Sequence, residues 1–215
     1  VAFTTEQREN SGVDGAVRRG SQSDLPTVID IWVDAFAEDP YFQWIQPDRA
    51  QWPEFGSEWM SFIAEACFER GHLYIAESED AAIAWVPPEV SLLSPDSIAR
   101  GREVLARHGG AERAGHAFET IVAARAHDLD VAHWTLQYLG VRPASQGRGL
   151  GALIVAPGVR LVDDDGLPCG LVSTNPRNVS FYERLGFSVV AEVFSPDHAV
   201  ALRPMRRPAL RAVAL

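Results

Sequence analysis

Leu139-Gly-Val-Arg-Pro-Ala-Ser-Gln-Gly-Arg-Gly-Leu-Gly151 is the stretch from which the rest of the chain is read. It has the form of a strand end, a short turn and a glycine-rich entry into a helix. Gly147, Gly149 and Gly151 alternate with Arg148 and Leu150. Glycine has no Cβ, so main-chain N–H groups can crowd around a ligand at little steric cost. A run of such groups at a helix start, helped by the helix dipole, makes a concave anion site whose natural guest is a phosphate or pyrophosphate. Arg148 adds a positive charge at the rim. The spacing Gln146-x-x-Gly149-x-Gly151 is not GxxxxGK[ST], because no lysine follows. It is not the GxGxxG dinucleotide fingerprint either, because the third glycine comes one residue too soon. The competing reading of the loop is a tight strand-to-helix turn with no ligand.

Working outward, Val131 to Val141 reads as the strand before the loop, and a helix runs from about Gly149 to Asp165 after it. Pro157 should bend that helix, because it cannot donate to the carbonyl of Leu153. Asp163-Asp164-Asp165 reads as a solvated helix end. Gly170 to Thr174 is a strand, and Pro176 to Leu185 is a short helix closed by Gly186. Val189 to Phe194 and Ala199 to Met205 form a final pair of strands. Upstream, Ala16 to Gly20 is a short edge strand. Asp24 caps a helix with Pro26 just inside it. Val28, Ile29, Ile31, Trp32, Ala35 and Phe36 follow at helical spacing up to Asp39-Pro40. Tyr41-Phe42-Gln43-Trp44 reads as an aromatic turn. A second helix is expected from about Gln51 to Arg70, then a hairpin of His72 to Glu77 and Ala81 to Val86. Residues 94–128 look helical with a break at Gly109-Gly110. This long excursion between two strands is expected to set substrate specificity. The domain organisation expected is a tail at 1–14, one domain over 15–206 and a C-terminal tail at 207–215.

Composition narrows the partners. The chain has 215 residues, 47% of them hydrophobic, and a formal charge of −10. That is one domain with a substantial core. The acidic balance argues against non-specific nucleic-acid or anionic-membrane binding. No apolar run reaches the ~18 residues of a membrane span. The start, Val1 to Asp14, is polar with no signal-peptide character. Cys67 and Cys169 form no CxxC pattern and read as reduced thiols of a cytoplasmic protein. No metal site is expected.

A second segment carries chemistry: Ser173-Thr-Asn-Pro-Arg-Asn-Val-Ser-Phe-Tyr-Glu-Arg-Leu-Gly-Phe187. Asn175 and Asn178 precede Tyr182, and positions 178 and 182 share a helix face. An asparagine amide can donate to and accept from the peptide-like groups of an extended ligand arm. Tyr182 offers a hydroxyl as an acid. The competing reading is a helix cap and a core aromatic.

Together the two segments resemble the GNAT acetyltransferase superfamily. The pattern [Gln/Arg]-x-x-Gly-x-[Gly/Ala] is met by Gln146, Gly149 and Gly151. Asparagine, then tyrosine seven residues on, then Gly-Phe is met by Asn175, Tyr182, Gly186 and Phe187. Ala35-Phe-Ala-Glu-Asp-Pro40, Ala84-Trp-Val-Pro-Pro88 and Pro157-Gly158 also look like puromycin N-acetyltransferase and its relatives. The likeness covers roughly residues 16 to 206 and is thin across 90–130. It implies an α/β (α+β) GNAT fold: a mixed, mostly antiparallel sheet of about seven strands, splayed at the cofactor cleft, with helices on both faces and a helical insert at about 94–128. It implies acetyl-CoA lying between the Val131–Val141 and Gly170–Thr174 strands. Main-chain groups of Leu139, Gly140 and Val141 would meet the pantetheine arm. Gln146, Gly147, Arg148, Gly149, Leu150 and Gly151 would hold the pyrophosphate, and Asn175 or Asn178 the arm further along. Tyr182 would sit near the thioester sulfur.

The reaction this implies is direct attack of a small-molecule primary amine on the thioester. Many relatives carry a carboxylate base on one of the splayed strands. The corresponding positions here are Gln137 and Val172, and neither takes a proton. Candidate bases are Glu38, Asp39 and His133, whose imidazole class titrates near neutral pH, or water alone. The Tyr41–Trp44 portion of the aromatic set is a candidate lining for the acceptor pocket. Two alternatives remain at the level of sequence: a protein or peptide amine acceptor, and a non-catalytic acyl-CoA sensor that lacks a base. Oligomeric state is open, a homodimer included.

Overall fold

The computed structural model describes residues 16–210. The tail expected at 1–14, and residues 211–215 of the one expected at 207–215, lie outside that range. Eight strands form the sheet: β1 Val17–Arg19, β2 His72–Ala76, β3 Ala81–Val86, β4 Trp134–Val141, β5 Cys169–Ser173, β6 Ser188–Val189, β7 Val193–Phe194 and β8 Ala201–Arg207. Their order is β1-β2-β3-β4-β5-β8-β6, and β7 also pairs with β8. Every pairing is antiparallel except β4 with β5. Those two strands touch only through Trp134↔Cys169 and Thr135↔Gly170, although β4 runs on to Val141 and β5 to Ser173. They part after Thr135, and a gap opens between them.

β3, Ala-Ala-Ile-Ala-Trp-Val, is buried along its whole length because helices cover both faces of the sheet. On one face lie α1 (Leu25–Phe36), α2 (Pro40–Ile45), α3 (Trp52–Arg70), α4 (Pro95–Gly109) and α5 (Ala111–Arg125), packed around Trp32, Phe55, Met60 and Ile63. On the other lie α6 (Leu150–Asp165) and α7 (Val179–Arg184), packed around Trp85, Ile154, Leu171, Phe187 and Met205. The excursion at 94–128 is α4 and α5, divided at Gly109-Gly110, where Gly110 has φ 81°.

The register of β3 on β4 skips one residue. Ala84 faces Tyr138 and Trp85 faces Leu136, so Gln137 has no partner across the ladder. This bulge turns Gln137 and Tyr138 toward the α1–α5 layer, while Leu136 and Leu139 pack toward α6.

Four local expectations need correction. Tyr41–Trp44 is helix rather than turn: Asp39 accepts from the Tyr41 N–H at 3.0 Å and Pro40 takes the first helical position. β4 begins at Trp134, because residues 131–133 bend back and the His133 ring nitrogen Nδ1 lies 2.7 Å from the Val131 carbonyl oxygen. The strand expected over Val189–Phe194 is two short pieces, β6 and β7, each paired with β8, and β8 reaches Arg207. The triple aspartate is more than a solvated helix end. Asp163 accepts from the buried Arg207 at 2.5 and 3.1 Å, and Asp165 accepts from Trp134 Nε1 at 2.9 Å. These bonds tie the end of α6 to the strands on both sides of the gap.

Candidate functional site

A cavity of about 370 Å³ opens from the α1–α5 layer into the gap between β4 and β5. Its walls are mainly apolar, with Phe36, Tyr41, Phe42, Trp59, Phe62 and Phe118 on the helical side. Leu136 to Leu139 of β4, Leu171 to Thr174 at the end of β5, Asn178 and Tyr182 form the sheet side. Of the aromatics at Tyr41–Trp44, Tyr41 and Phe42 line this cavity. The Trp44 indole instead donates to Asp197 at 2.9 Å.

The glycine loop has the geometry its sequence suggests. Gly147 (φ 73°) and Gly149 (φ 83°) both adopt left-handed conformations that L side chains resist, and the space beside each is open. Gly149 caps α6. Among the described residues no side chain bonds the free N–H groups of the first turn, and that turn holds no acidic residue. These donors therefore sit at the positive end of a 16-residue helix, beside open space at Gly147 and Gly149. Gln146 ties the loop down: its Nε2 donates to the Val141 carbonyl at 3.0 Å. Arg148 is exposed, with no ion pair among the described residues.

The edge of β4 is also open. The Arg142 N–H donates to the Asp80 carbonyl at 2.8 Å. In an antiparallel ladder, hydrogen-bonded pairs alternate with non-bonded ones. Val141 and Leu139 therefore turn their main-chain groups away from β3, toward the side that β5 has left. Gly140 belongs to the pair facing Ala82. A Cβ there would come 2.7 Å from the Trp32 ring, so α1 can approach only because residue 140 is glycine.

Across the gap, Asn175 uses its side-chain oxygen to cap the turn at Arg177, 3.1 Å away. Asn178 makes no side-chain cap bond and lines the cavity. Tyr182 is buried, also lines the cavity, and has no hydrogen-bond partner for its hydroxyl among the described residues. Burial pushes its phenol above the ordinary tyrosine range, with the nearby Asp39 charge adding to the shift. It is a proton donor at neutral pH.

The candidate bases separate. Glu38 is exposed and paired with Arg49. His133 lies outside the cavity at the foot of β4. Asp39 is 3% exposed, and its second oxygen accepts from the Thr174 hydroxyl at 2.7 Å. Burial raises its carboxyl above the usual range, against the hydrogen bonds from Thr174 and the helix amides. Asp39 sits one residue behind the cavity wall, and Thr174 forms that wall. Gln137 lines the cavity and accepts from Arg125 Nη2 at 2.8 Å. Trp59 Nε1 donates to the Tyr138 hydroxyl at 3.0 Å. Sequence reasoning missed Thr174, Arg125 and Tyr138. The Asp39-Pro40 pair was legible as a helix start as well as a helix stop.

Residues 29–187 match the profile of the acetyltransferase (GNAT) family. The chain belongs to that family. An uncharacterised N-acetyltransferase of Schizosaccharomyces pombe is 27% identical over 80% of this chain and 74% of its own length. A mycothiol acetyltransferase of Streptomyces avermitilis is 38% identical over 31% of this chain. The chain spans about a quarter (26%) of that relative. Among solved structures, one described as histone acetyltransferase HPA2 and related acetyltransferase from Corynebacterium glutamicum superposes with a TM-score of 0.64, covering 93% of this chain and 98% of that one at 24% identity. Arylalkylamine N-acetyltransferase 2 of Aedes aegypti gives 0.62, over 89% and 97%, at 13% identity. These two likenesses concern the GNAT fold alone.

The residues present fit an acyl-CoA. The open amides of the glycine loop suit a pyrophosphate. The free β4 edge suits the amide groups of a pantetheine arm. Cys67 and Cys169 stay out of the chemistry: burial pushes both thiols up to about 12. Among the described residues no cluster could hold a metal ion.

Proposed function

We propose that this GNAT chain is an acetyl-CoA-dependent N-acetyltransferase whose acceptor is a small-molecule primary amine. One observation carries the reading: the apolar cavity on the helical side runs into the β4–β5 gap, so that acceptor and thioester can meet beside Tyr182. A volume of about 370 Å³ is in the range of small-molecule pockets. That favours a small amine over a folded protein surface.

Leu139 and Val141 hold the pantetheine arm through main-chain groups, and the loop from Gln146 to Gly151 holds the pyrophosphate. Asn178 faces the arm from the other side. When bound, acetyl-CoA supplies an activated acetyl carbonyl and a thiolate leaving group. An amine of pKa ~10.4 is neutral in about one molecule in 10³ or fewer at pH 7, so its proton must be removed. Gln137 and Val172 cannot take it. Asp39 can, through the Thr174 hydroxyl or a water, and its placement behind Thr174 speaks for it over Glu38 and His133. A β4 N–H, of Leu139 or Val141, stabilises the oxyanion. Tyr182 protonates the departing thiolate. The apolar walls keep the two reactants together and exclude water.

A screen of primary amines, puromycin among them, for acetyl-CoA-dependent thiol release tests the reading. At least one small amine should release thiol and gain an acetyl group by mass. Absence of both acetyl-CoA binding and thiol release would overturn it. Tight acetyl-CoA binding with no acceptor would point to a sensor instead.

A further inference from the structure

The cavity is positive within an acidic protein. The chain carries −10 overall, yet Arg102 of α4 and Arg125 of α5 line the cavity, and among the described residues no aspartate or glutamate does. Among the described residues one carboxylate pairs with Arg125 and none with Arg102. Asp39 is turned away toward Thr174. Asp128 reaches Arg125 only at 3.4 Å, in a pair about one-third exposed on each side. The other side of the Arg125 guanidinium donates to Gln137 at 2.8 Å, which orients it toward the β4 bulge. Arg102 is exposed at the mouth. Its guanidinium carbon lies 3.6 Å from the centre of the Phe118 ring, and no carboxylate pairs with it among the described residues. Stacking on Phe118 holds the guanidinium plane while leaving its N–H fork free to bind.

A pocket built for a polycation would line itself with carboxylates, and this one does the opposite. Guanidinium groups recognise carboxylate and phosphate oxygens through paired, charge-assisted hydrogen bonds. We infer that the acceptor is an amphipathic amino acid-like molecule: a primary amine and an anionic group, joined by an apolar body. Arg102 and Arg125 take the anion. Phe62, Phe118 and Trp59 take the body. The amine reaches the gap beside Tyr182. The inference rests on the N-acetyltransferase reading and deepens it by naming the substrate class. The same positive charges also assist removal of the amine's proton, because a cation near an ammonium favours its neutral form.

The test compares matched amines that differ only in charge. L-Phenylalanine and a longer ω-amino acid carry a carboxylate at two distances from the amine. An amino alcohol phosphate ester carries the phosphate alternative. Phenylalaninamide and phenethylamine carry no anion. Binding to the CoA-loaded protein is measured by calorimetry, and turnover by thiol release. At least one anionic compound should bind about tenfold or more tighter than its neutral match, as expected for a charge-assisted contact. Which anionic arm wins separates carboxylate from phosphate. Arg102→Gln, at an exposed position, should raise KM for the anionic acceptor more than tenfold relative to its effect on the neutral one, with Arg102→Lys recovering part of the difference. Equal binding of charged and neutral amines, or an Arg102→Gln effect identical for both, overturns the inference even when turnover is robust. Binding preference without thiol release sustains the inference and instead counts against the transferase reading.

Discussion

Burial pushes both the Tyr182 phenol and the Asp39 carboxyl above their ordinary ranges. The two differ in what surrounds them. The Tyr182 hydroxyl has no partner among the described residues and borders the cavity. Asp39 is held by Thr174 and the start of α2. Tyr182→Phe should lower kcat by about 10²-fold, the low end for loss of a general acid. Calorimetry should find acetyl-CoA affinity nearly unchanged, since the hydroxyl bonds nothing that positions the arm. An unaltered kcat would remove Tyr182 from the acid role. For Asp39 the sign follows from linkage. Its folded-state pKa is raised, so its contribution to stability is fully present below the unfolded value of ~3.9 and is lost as pH rises through the folded value. Asp39→Asn keeps the cap acceptor and cannot ionise. The melting temperature of the variant relative to wild type should therefore climb as pH rises from ~4 through that range. A pH-independent difference would mean that Asp39 is not destabilised by its own charge.

At the scale of elements, the packing of α6 on the sheet turns on one glycine. Gly158, next to Pro157, lies against the Trp85 indole so closely that a Cβ would fall well inside van der Waals contact. Trp85 is fully buried, so neither partner can retreat without moving helix or strand. α6 continues past Pro157 to Asp165. Gly158→Ala should cost about 1–3 kcal/mol by overpacking. A domain of this size then loses roughly 2–4 °C of melting temperature per kcal/mol. A variant that melts with wild type would show that the helix can slide over Trp85. The entry to α1 shows a contrasting logic. Arg18 grips Asp24 with bonds of 2.7 and 2.6 Å and holds its carboxyl well below the usual range, so this contact weakens only in strong acid.

At the scale of the whole molecule, the sheet is nearly two sheets. β4 and β5 share two residue pairs, and past them the halves face each other across the cleft. Arg207–Asp163 and Trp134–Asp165 clasp the closed end. A ligand that bonds the β4 edge, the glycine loop and Asn178 would clasp the open end. Acetyl-CoA at about 100 times its Kd should therefore stabilise the fold by ~2.7 kcal/mol. That corresponds to a melting shift of roughly 5–10 °C. Acetate and free phosphate at the same concentration should give none. No shift with acetyl-CoA would argue that the cleft does not hold it. Among the described residues no helix is long and apolar enough to cross a membrane.

What the sequence determined by itself is what short-range chemistry dictates. Gly147 and Gly149 need positive φ, Asp24 precedes a helix start, and apolar periods separate helices from strands. These signals depend on backbone preferences within a few residues, so the α/β class, the helical insert and the left-handed turns of the glycine loop were all legible. Tertiary structure alone decided the pairings. Asp39 meets Thr174 across 135 positions, and Asp163 meets Arg207 across 44. The bulge that frees Gln137 depends on a register with β3, and the positive lining of the cavity depends on α4 and α5 folding over the gap. Such contacts form because burial brings distant polar groups together and then requires each to find a partner, a constraint that no local stretch of sequence expresses.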